Sequence, residues 1–163
     1  MNSLLTEINA RFVRKGHVIL ASGLISDVYV DIKGVALDRD LGPALGIIVA
    51  EHIATVVPSI RSVTLAGVPY GGVLVAMRAA PELGASIIIP RDGVLEGPKF
   101  SASVVLVEDV MTSGTSAKVA VNRLAAWGIE VTKTVTVVAR SKEVARQCPA
   151  LWLLEGGRLV PAR

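Results

Sequence analysis

Apolar residues recur along this chain in two rhythms. Near the start, Leu4, Leu5, Ile8 and Phe12 return at three- and four-residue spacing, which predicts a helix over residues 2–14. Val18–Leu20 and Val28–Ile32 then predict two short strands, separated by turn-like Ser22-Gly23 and Ser26-Asp27. Leu41, Leu45, Ile48 and His52 share one face of a helix predicted over 41–56, and Pro58 blocks its continuation. From there the rhythms alternate. Strands are predicted over 62–67, 85–89, 104–108 and 133–139, and helices over 72–82 and 116–127, the last closed by Gly128. Ser141 is a cap for a short helix that stops before Pro149. Leu151–Leu154 and Arg158–Val160 flank Gly156-Gly157 as the arms of a hairpin.

Strands alternating with helices predict βαβ units and a doubly wound, mostly parallel α/β sheet. In such sheets ligands bind beyond the carboxyl ends of the strands. The segments after residues 67, 89, 108 and 139 are therefore the places to seek chemistry. No internal repeat, low-complexity tract or linker divides the 163 residues, so they read as one domain.

Composition narrows the function classes. At 52% hydrophobic and 19% charged, the chain can bury a full core and is not a disordered segment. The most apolar stretch, Leu45–Val57, is interrupted by Glu51 and His52, so no membrane span is expected. Cys148 is the single cysteine, which excludes an internal disulfide framework and a multi-cysteine zinc site. With no signal-peptide pattern at Met1–Leu5, a cytoplasmic location is expected. The net charge of +3 mildly favours anionic ligands. Nucleic acid is not expected as a partner: there is no basic block, and Trp, Tyr and Phe number only two each.

The chemistry concentrates in Val104–Ser116, VVLVEDVMTSGTS. A hydrophobic strand runs into adjacent acids, Glu108 and Asp109. A hydroxyl-rich loop follows, Thr112, Ser113, Gly114, Thr115 and Ser116, and a helix begins at once. A helix N-terminus offers unpaired N–H groups and the positive end of a dipole. The dipole alone contributes about 0.3–1 kcal/mol to anion binding. Hydroxyls and loop N–H groups must add the rest, at roughly 1.5–3 kcal/mol per hydrogen bond to a charged group. Ionised carboxylates only accept hydrogen bonds, which suits the vicinal hydroxyls of a ribose. A polar strand end with an ordinary capping turn contains the same residue types. The unbroken register of all the parts is what favours a sugar phosphate. No GxxxxGK[ST] motif is present, so this is not a Walker loop.

This segment resembles the phosphoribosyl diphosphate (PRPP) signature of type I phosphoribosyltransferases. The resemblance implies that Glu108 and Asp109 hold the ribose hydroxyls and that Thr112, Ser113, Gly114, Thr115 and Ser116 hold the 5′-phosphate. It extends over most of the chain and is nearest to the orotate branch. Leu20–Gly34, LASGLISDVYVDIKG, is similar to that branch's N-terminal segment through Ser22-Gly23, Tyr29, Asp31 and Lys33. It implies that Tyr29 stacks on a flat base. Leu65–Gly72, LAGVPYGG, is similar to the diphosphate loop, which implies contacts from Tyr70, Gly71 and Gly72. Arg140 stands where the orotate branch pairs an arginine with the substrate carboxylate.

The resemblance also has gaps. Ile89-Pro90-Arg91 matches the start of the family's mobile basic loop, but the loop is several residues short and has no histidine. Arg91 and Lys99 are its candidate catalytic cations. Ala21 and Gly71 stand where many relatives carry lysine. The implied reaction transfers 5-phosphoribosyl from Mg-PRPP to orotate, giving orotidine 5′-monophosphate and diphosphate. Mg2+ would be held mainly by PRPP and water rather than by protein ligands. The implied form is a homodimer, each chain one domain over 1–163 with a small N-terminal hood over about 1–35. The short loop leaves two other readings open: a transferase for another base, and a PRPP- or nucleotide-binding regulator without turnover.

Overall fold

A computed structural model describes residues 2–19, 25–57, 63–98 and 104–162. The chain opens with helix α1 (Asn2–Phe12) and a two-stranded antiparallel sheet, β1 (Val13–Ile19) with β2 (Ile25–Val30). Helices α2 (Ile32–Leu37) and α3 (Leu41–Val56) follow. The main sheet is then built from β3 (Thr64–Gly67), β4 (Ser86–Arg91), β5 (Val94–Glu96), β6 (Val104–Met111), β7 (Val131–Ala139), β8 (Ala150–Glu155) and β9 (Arg158–Pro161). Between these strands lie α4 (Gly71–Leu83), α5 (Thr115–Ala126) and α6 (Lys142–Gln147). The strand order is β5-β4-β3-β6-β7-β8-β9. The five inner strands run parallel, and β5 and β9 close the edges as antiparallel hairpin arms.

The apolar run at 104–107 follows from burial on both faces, the usual condition of a parallel strand. Val105 and Val107 join a core with α1, α2, α3 and α4. Val104 and Leu106 point the other way and pack with Ala117, Ala120 and Leu124 of α5 and Val144 of α6. Each buried side chain of this size contributes roughly 1.5–3 kcal/mol. The sheet is therefore covered on both faces, as the alternating pattern predicts.

Several boundaries differ from the sequence reading. The first helix ends at Phe12 rather than 14, because Val13 pairs with Val30 as the start of β1. Ser26 and Asp27, expected in a turn, lie within β2. The turn preference of these residues is local, while each ladder bond to β1 adds about 0.5–1.5 kcal/mol. Ile32, expected to end a strand, begins α2: the Asp31 carboxylate accepts the Gly34 N–H at 3.0 Å and caps that helix. Strand β6 continues past its acids to Met111 because β7 stays paired with it as far as Ala139. Asp92-Gly93 turns the chain from β4 into β5, so a short hairpin stands where the resemblance implies the mobile loop. Ser22-Gly23 lies outside the described residues.

Two contacts fix helix α1, one to the main sheet and one to the start of α3. The Asn9 side chain donates to Leu159 O at 3.0 Å and accepts the Leu159 N–H at 2.6 Å, so it completes the edge of β9 as a neighbouring strand would. Arg11 bridges Glu7 of its own helix and Asp38, which caps the start of α3 through the Asp40 and Leu41 N–H groups.

Helix α4 packs unusually close to β6. A Cβ on Gly72 would stand 2.1 Å from Val107 O, a backbone atom with no freedom to move aside. Gly72→Ala is therefore expected to lower the unfolding free energy by about 1–3 kcal/mol, the cost of overpacking. The measurement is the urea midpoint at unchanged m-value. A midpoint equal to the parent's would show that this approach imposes no constraint.

Candidate functional site

The carboxyl ends of β3, β6 and β7 form one rim, and most of the singled-out residues stand on it. Glu108 is 5% exposed, whereas Asp109 is partly exposed. Burial pushes the Glu108 carboxyl up to about 8, and the charge of Asp109 and a hydrogen bond to it push the same way. Two adjacent carboxylates with little water around one of them do not both ionise readily. Glu108 thus holds a proton well above the usual carboxylate range.

Asp109 meets the start of α4. A Cβ on Gly71 would stand 2.0 Å from Asp109 Oδ2, so only glycine leaves room for the carboxylate in this position. The positive end of the α4 dipole lies against an acid, a favourable arrangement. The preceding loop is held by Val68 N–H to Val107 O at 3.0 Å and Val73 N–H to Val68 O at 3.2 Å. Its Pro69–Tyr70 peptide is cis. Tyr70 itself is 81% exposed and free to meet a ligand. Loop 68–72 and the acid pair are brought together by the pairing of Gly67 with Val107.

Beyond Met111 the hydroxyl loop makes its turn at Gly114, whose φ of +76° is left-handed and favours glycine. Thr112, Ser113, Thr115 and Ser116 are exposed. Ser113 Oγ lies 2.9 Å from Thr115 Oγ1. The Gly114 carbonyl accepts the Lys118 N–H at 2.9 Å and starts α5. The N-cap residue Gly114 has no side chain to cap this helix, and the Thr115 N–H makes only a long bond to Ser113 Oγ, at 3.5 Å, which an anion can displace.

Arg140 follows β7 directly, and its N–H donates to Met111 O at 3.0 Å, which ties the rim together. Its guanidinium is partly buried and reaches back to the N-terminal sheet. Nη2 donates to Ser26 Oγ at 2.7 Å and to Val28 O at 3.1 Å. Burial lowers its pKa from the ordinary guanidinium value. Among the described residues no carboxylate pairs with it. A cation half out of water with only neutral partners is suited to an incoming anion. Tyr29 sits next to Val28 on the same strand, partly exposed.

Other residues stand apart. Arg91 ends β4, on the far side of β3 from the acids, and pairs with Glu96 at 3.1 Å on the exposed hairpin. Asp92 at the hairpin turn pairs with Arg123 of α5. Lys99 lies outside the described residues. His17 is exposed on β1 beside Asp27, and His52 lies on α3 with Nε2 buried and, among the described residues, without a hydrogen-bond partner. Sequence reasoning missed Ser26, which touches Arg140 across a separation of 114 residues. Its local signal, with Asp27, is that of a turn and gives no hint of this contact.

The rim thus presents carboxyl oxygens, exposed hydroxyls at a helix start, and a guanidinium without an acidic partner among the described residues. Among the described residues no group of three or more His, Cys, Asp or Glu side chains could cage a metal. Nor is any described helix long and apolar enough to cross a membrane.

Comparison with known proteins gives a consistent picture. No family model matches the chain. It is 34% identical to the orotate phosphoribosyltransferase of Methanocaldococcus jannaschii, over 85% of this chain and 80% of that protein. Among solved structures it is similar to orotate phosphoribosyltransferase from Aeropyrum pernix, with a TM-score of 0.72, 27% identity and coverage of 89% and 84% of the two chains. The Mycobacterium tuberculosis orotate phosphoribosyltransferase in complex with inorganic phosphate matches with a TM-score of 0.71, 27% identity and coverage of 89% and 86%.

The raised Glu108 pKa has a measurable sign. The folded state keeps a proton that the unfolded chain releases near the ordinary value of 4.5, so stability falls as pH rises from there to about 8. Glu108→Gln removes this loss. The variant is expected to gain stability over the parent at pH 8, on the order of a few kcal/mol, and to match it near pH 4. Denaturant unfolding across that range provides the check. Parallel pH profiles for variant and parent would refute the assignment.

Proposed function

The chain belongs to the orotate phosphoribosyltransferase family, and from that premise we propose how its residues carry the reaction. The enzyme transfers 5-phosphoribosyl from PRPP to orotate, giving the pyrimidine nucleotide orotidine 5′-monophosphate and diphosphate. The C1–oxygen bond to diphosphate breaks, a ring nitrogen of orotate bonds to C1, and the nitrogen's proton is lost to solvent or to the departing diphosphate. In our reading Glu108 and Asp109 orient the ribose hydroxyls. Thr112, Ser113, Gly114, Thr115 and Ser116, with the first N–H groups of α5, seat the 5′-phosphate. Tyr70, Gly71 and Gly72 meet the diphosphate. Tyr29 flanks the base, and Arg140 takes the base's carboxylate. The observation that carries this reading is the contact between Asp109 and Gly71, which sets the acids against the diphosphate loop.

The chemistry needs charge neutralisation, because negative charge grows on the leaving group while the sugar becomes oxocarbenium-like. Mg2+ takes oxygen ligands, keeps several waters and is commonly held by one or two carboxylates plus substrate phosphates. Here the oxygens of PRPP and water would mainly hold the ion, which would supply positive charge to the departing diphosphate. Arg91 and Lys99 are the loop cations we assign to the same task. Arg91 must then leave Glu96. An exposed pair of this kind contributes only about 0.2–1 kcal/mol, so exchange for a diphosphate is easily driven. We further propose a single domain with a hood over about residues 1–35, a cytoplasmic location and a homodimer that covers the exposed rim.

Asp109→Ala is expected to stay folded and to weaken PRPP binding by about 1.5–3 kcal/mol, or roughly 10- to 150-fold, in calorimetry with Mg2+. Loss of orotate absorbance in the presence of Mg2+ and PRPP should scale with the parent protein and vanish for this variant. Undiminished PRPP affinity in the folded variant would remove Asp109 from the ribose site. For assembly, sedimentation at micromolar concentration is expected to give twice the chain mass of 17.0 kDa. A single-chain mass would refute the dimer.

A further inference from the structure

We propose that Ser26 is a positioning residue for the carboxylate-binding guanidinium of Arg140, acting from the N-terminal sheet. The inference rests on the assignment of Arg140 to the base's carboxylate. Its own observation is the environment of a single hydroxyl. Ser26 Oγ accepts from Arg140 Nη2 at 2.7 Å, donates to Val28 O at 2.8 Å and accepts the Val28 N–H at 3.2 Å. A hydroxyl has one donor and two acceptor sites, so all three are used. The oxygen cannot turn away from the arginine without losing its bonds to the strand. Val28 O takes a second bond from the same Nη2 at 3.1 Å.

Both Nη2 hydrogens are thus held by β2, which sets the plane of the guanidinium. Among the described residues, three N–H donors, on Nε and Nη1, remain to meet an anion. Arginine has many rotamers, and a long side chain that must be ordered on binding weakens affinity. Here the ordering is done beforehand by a neutral hydroxyl and a carbonyl, which leave the positive charge unspent. A carboxylate in place of Ser26 would neutralise the cation and compete with the ligand. The arrangement also explains why a turn-favouring residue sits within a strand: its hydroxyl must project at this point of β2.

The test compares two nucleotides that differ only in the carboxylate. Orotidine 5′-monophosphate carries it, and uridine 5′-monophosphate lacks it. Calorimetric affinities are measured for the parent, Ser26→Ala, Ser26→Thr and Arg140→Ala. Ser26→Ala is expected to weaken orotidine 5′-monophosphate about tenfold, as for one hydrogen bond to a charged group. It should leave uridine 5′-monophosphate within about twofold, while Ser26→Thr, which keeps the hydroxyl, restores most of the loss. Equal losses for both nucleotides would mean a merely structural role, and no loss for either would mean no role; both overturn the proposal. If Arg140→Ala fails to reduce the preference for the carboxylate-bearing nucleotide, the base assignment itself falls. If Arg140→Ala reduces it and Ser26→Ala does not, only the positioning role falls.

Discussion

The site depends on how closely the start of α4 approaches the end of β6. Backbone stands on backbone at Gly72 and Val107, and on a carboxylate at Gly71 and Asp109. Any side chain at these positions would push the helix outward and take loop 68–72 with it. The close approach places the loop beside the acid pair, and the β6–β7 pairing carries the rim on to Arg140. Loop 68–72 and the acid pair therefore meet through backbone packing, whereas Ser26 and Arg140, farther apart in sequence, meet through side chains.

Electrostatics on this rim are set by limited water. Glu108 is driven toward its protonated form by burial and by Asp109. Arg140 is partly desolvated with no acid to offset it. Both groups are held in states that a ligand can relieve: ribose hydroxyls and a cation favour the ionised acid, and a carboxylate favours the guanidinium. The exposed Arg91–Glu96 pair belongs to a different regime. Screened by solvent, it is weak, so the β4–β5 hairpin can present Arg91 elsewhere at little cost. Of the two candidate loop cations, then, the one described is available by virtue of exposure. The Gly71 position, where a lysine would supply fixed charge, is instead occupied by backbone lying against Asp109.

The small β1–β2 sheet is more than a cover. Ser26 and Val28 reach Arg140, while Asn9 completes the edge of β9 and Arg11 bridges to Asp38. Through these contacts the strand that carries Tyr29 is registered against the main sheet by hydrogen bonds to defined atoms. The exposed apolar residues Ile19 and Ile25 sit at the far end of the same hairpin. The small sheet and the end of β7 thus meet at Arg140.

Much of this protein is written locally. The buried run Val104–Val107, the adjacent acids and the loop around Gly114 determine by themselves a strand, a hydroxyl-lined turn and a helix start, because each depends on residues within one turn or one strand. The alternation of strand and helix from residue 63 onward likewise determines the doubly wound sheet. Other features depend on partners far away in the chain. Ser26 and Asp27 carry the local signature of a turn, and only pairing with β1 makes them strand. Asp31, by contrast, starts α2 through a local cap three residues long, which the apolar pattern at Ile32 masks. Why position 71 must be glycine, why Glu108 holds its proton and what orders Arg140 were decided by the tertiary structure alone. Each is a matter of close approach or lost water between segments distant in sequence, and neither distance nor desolvation is encoded in any short run of residues.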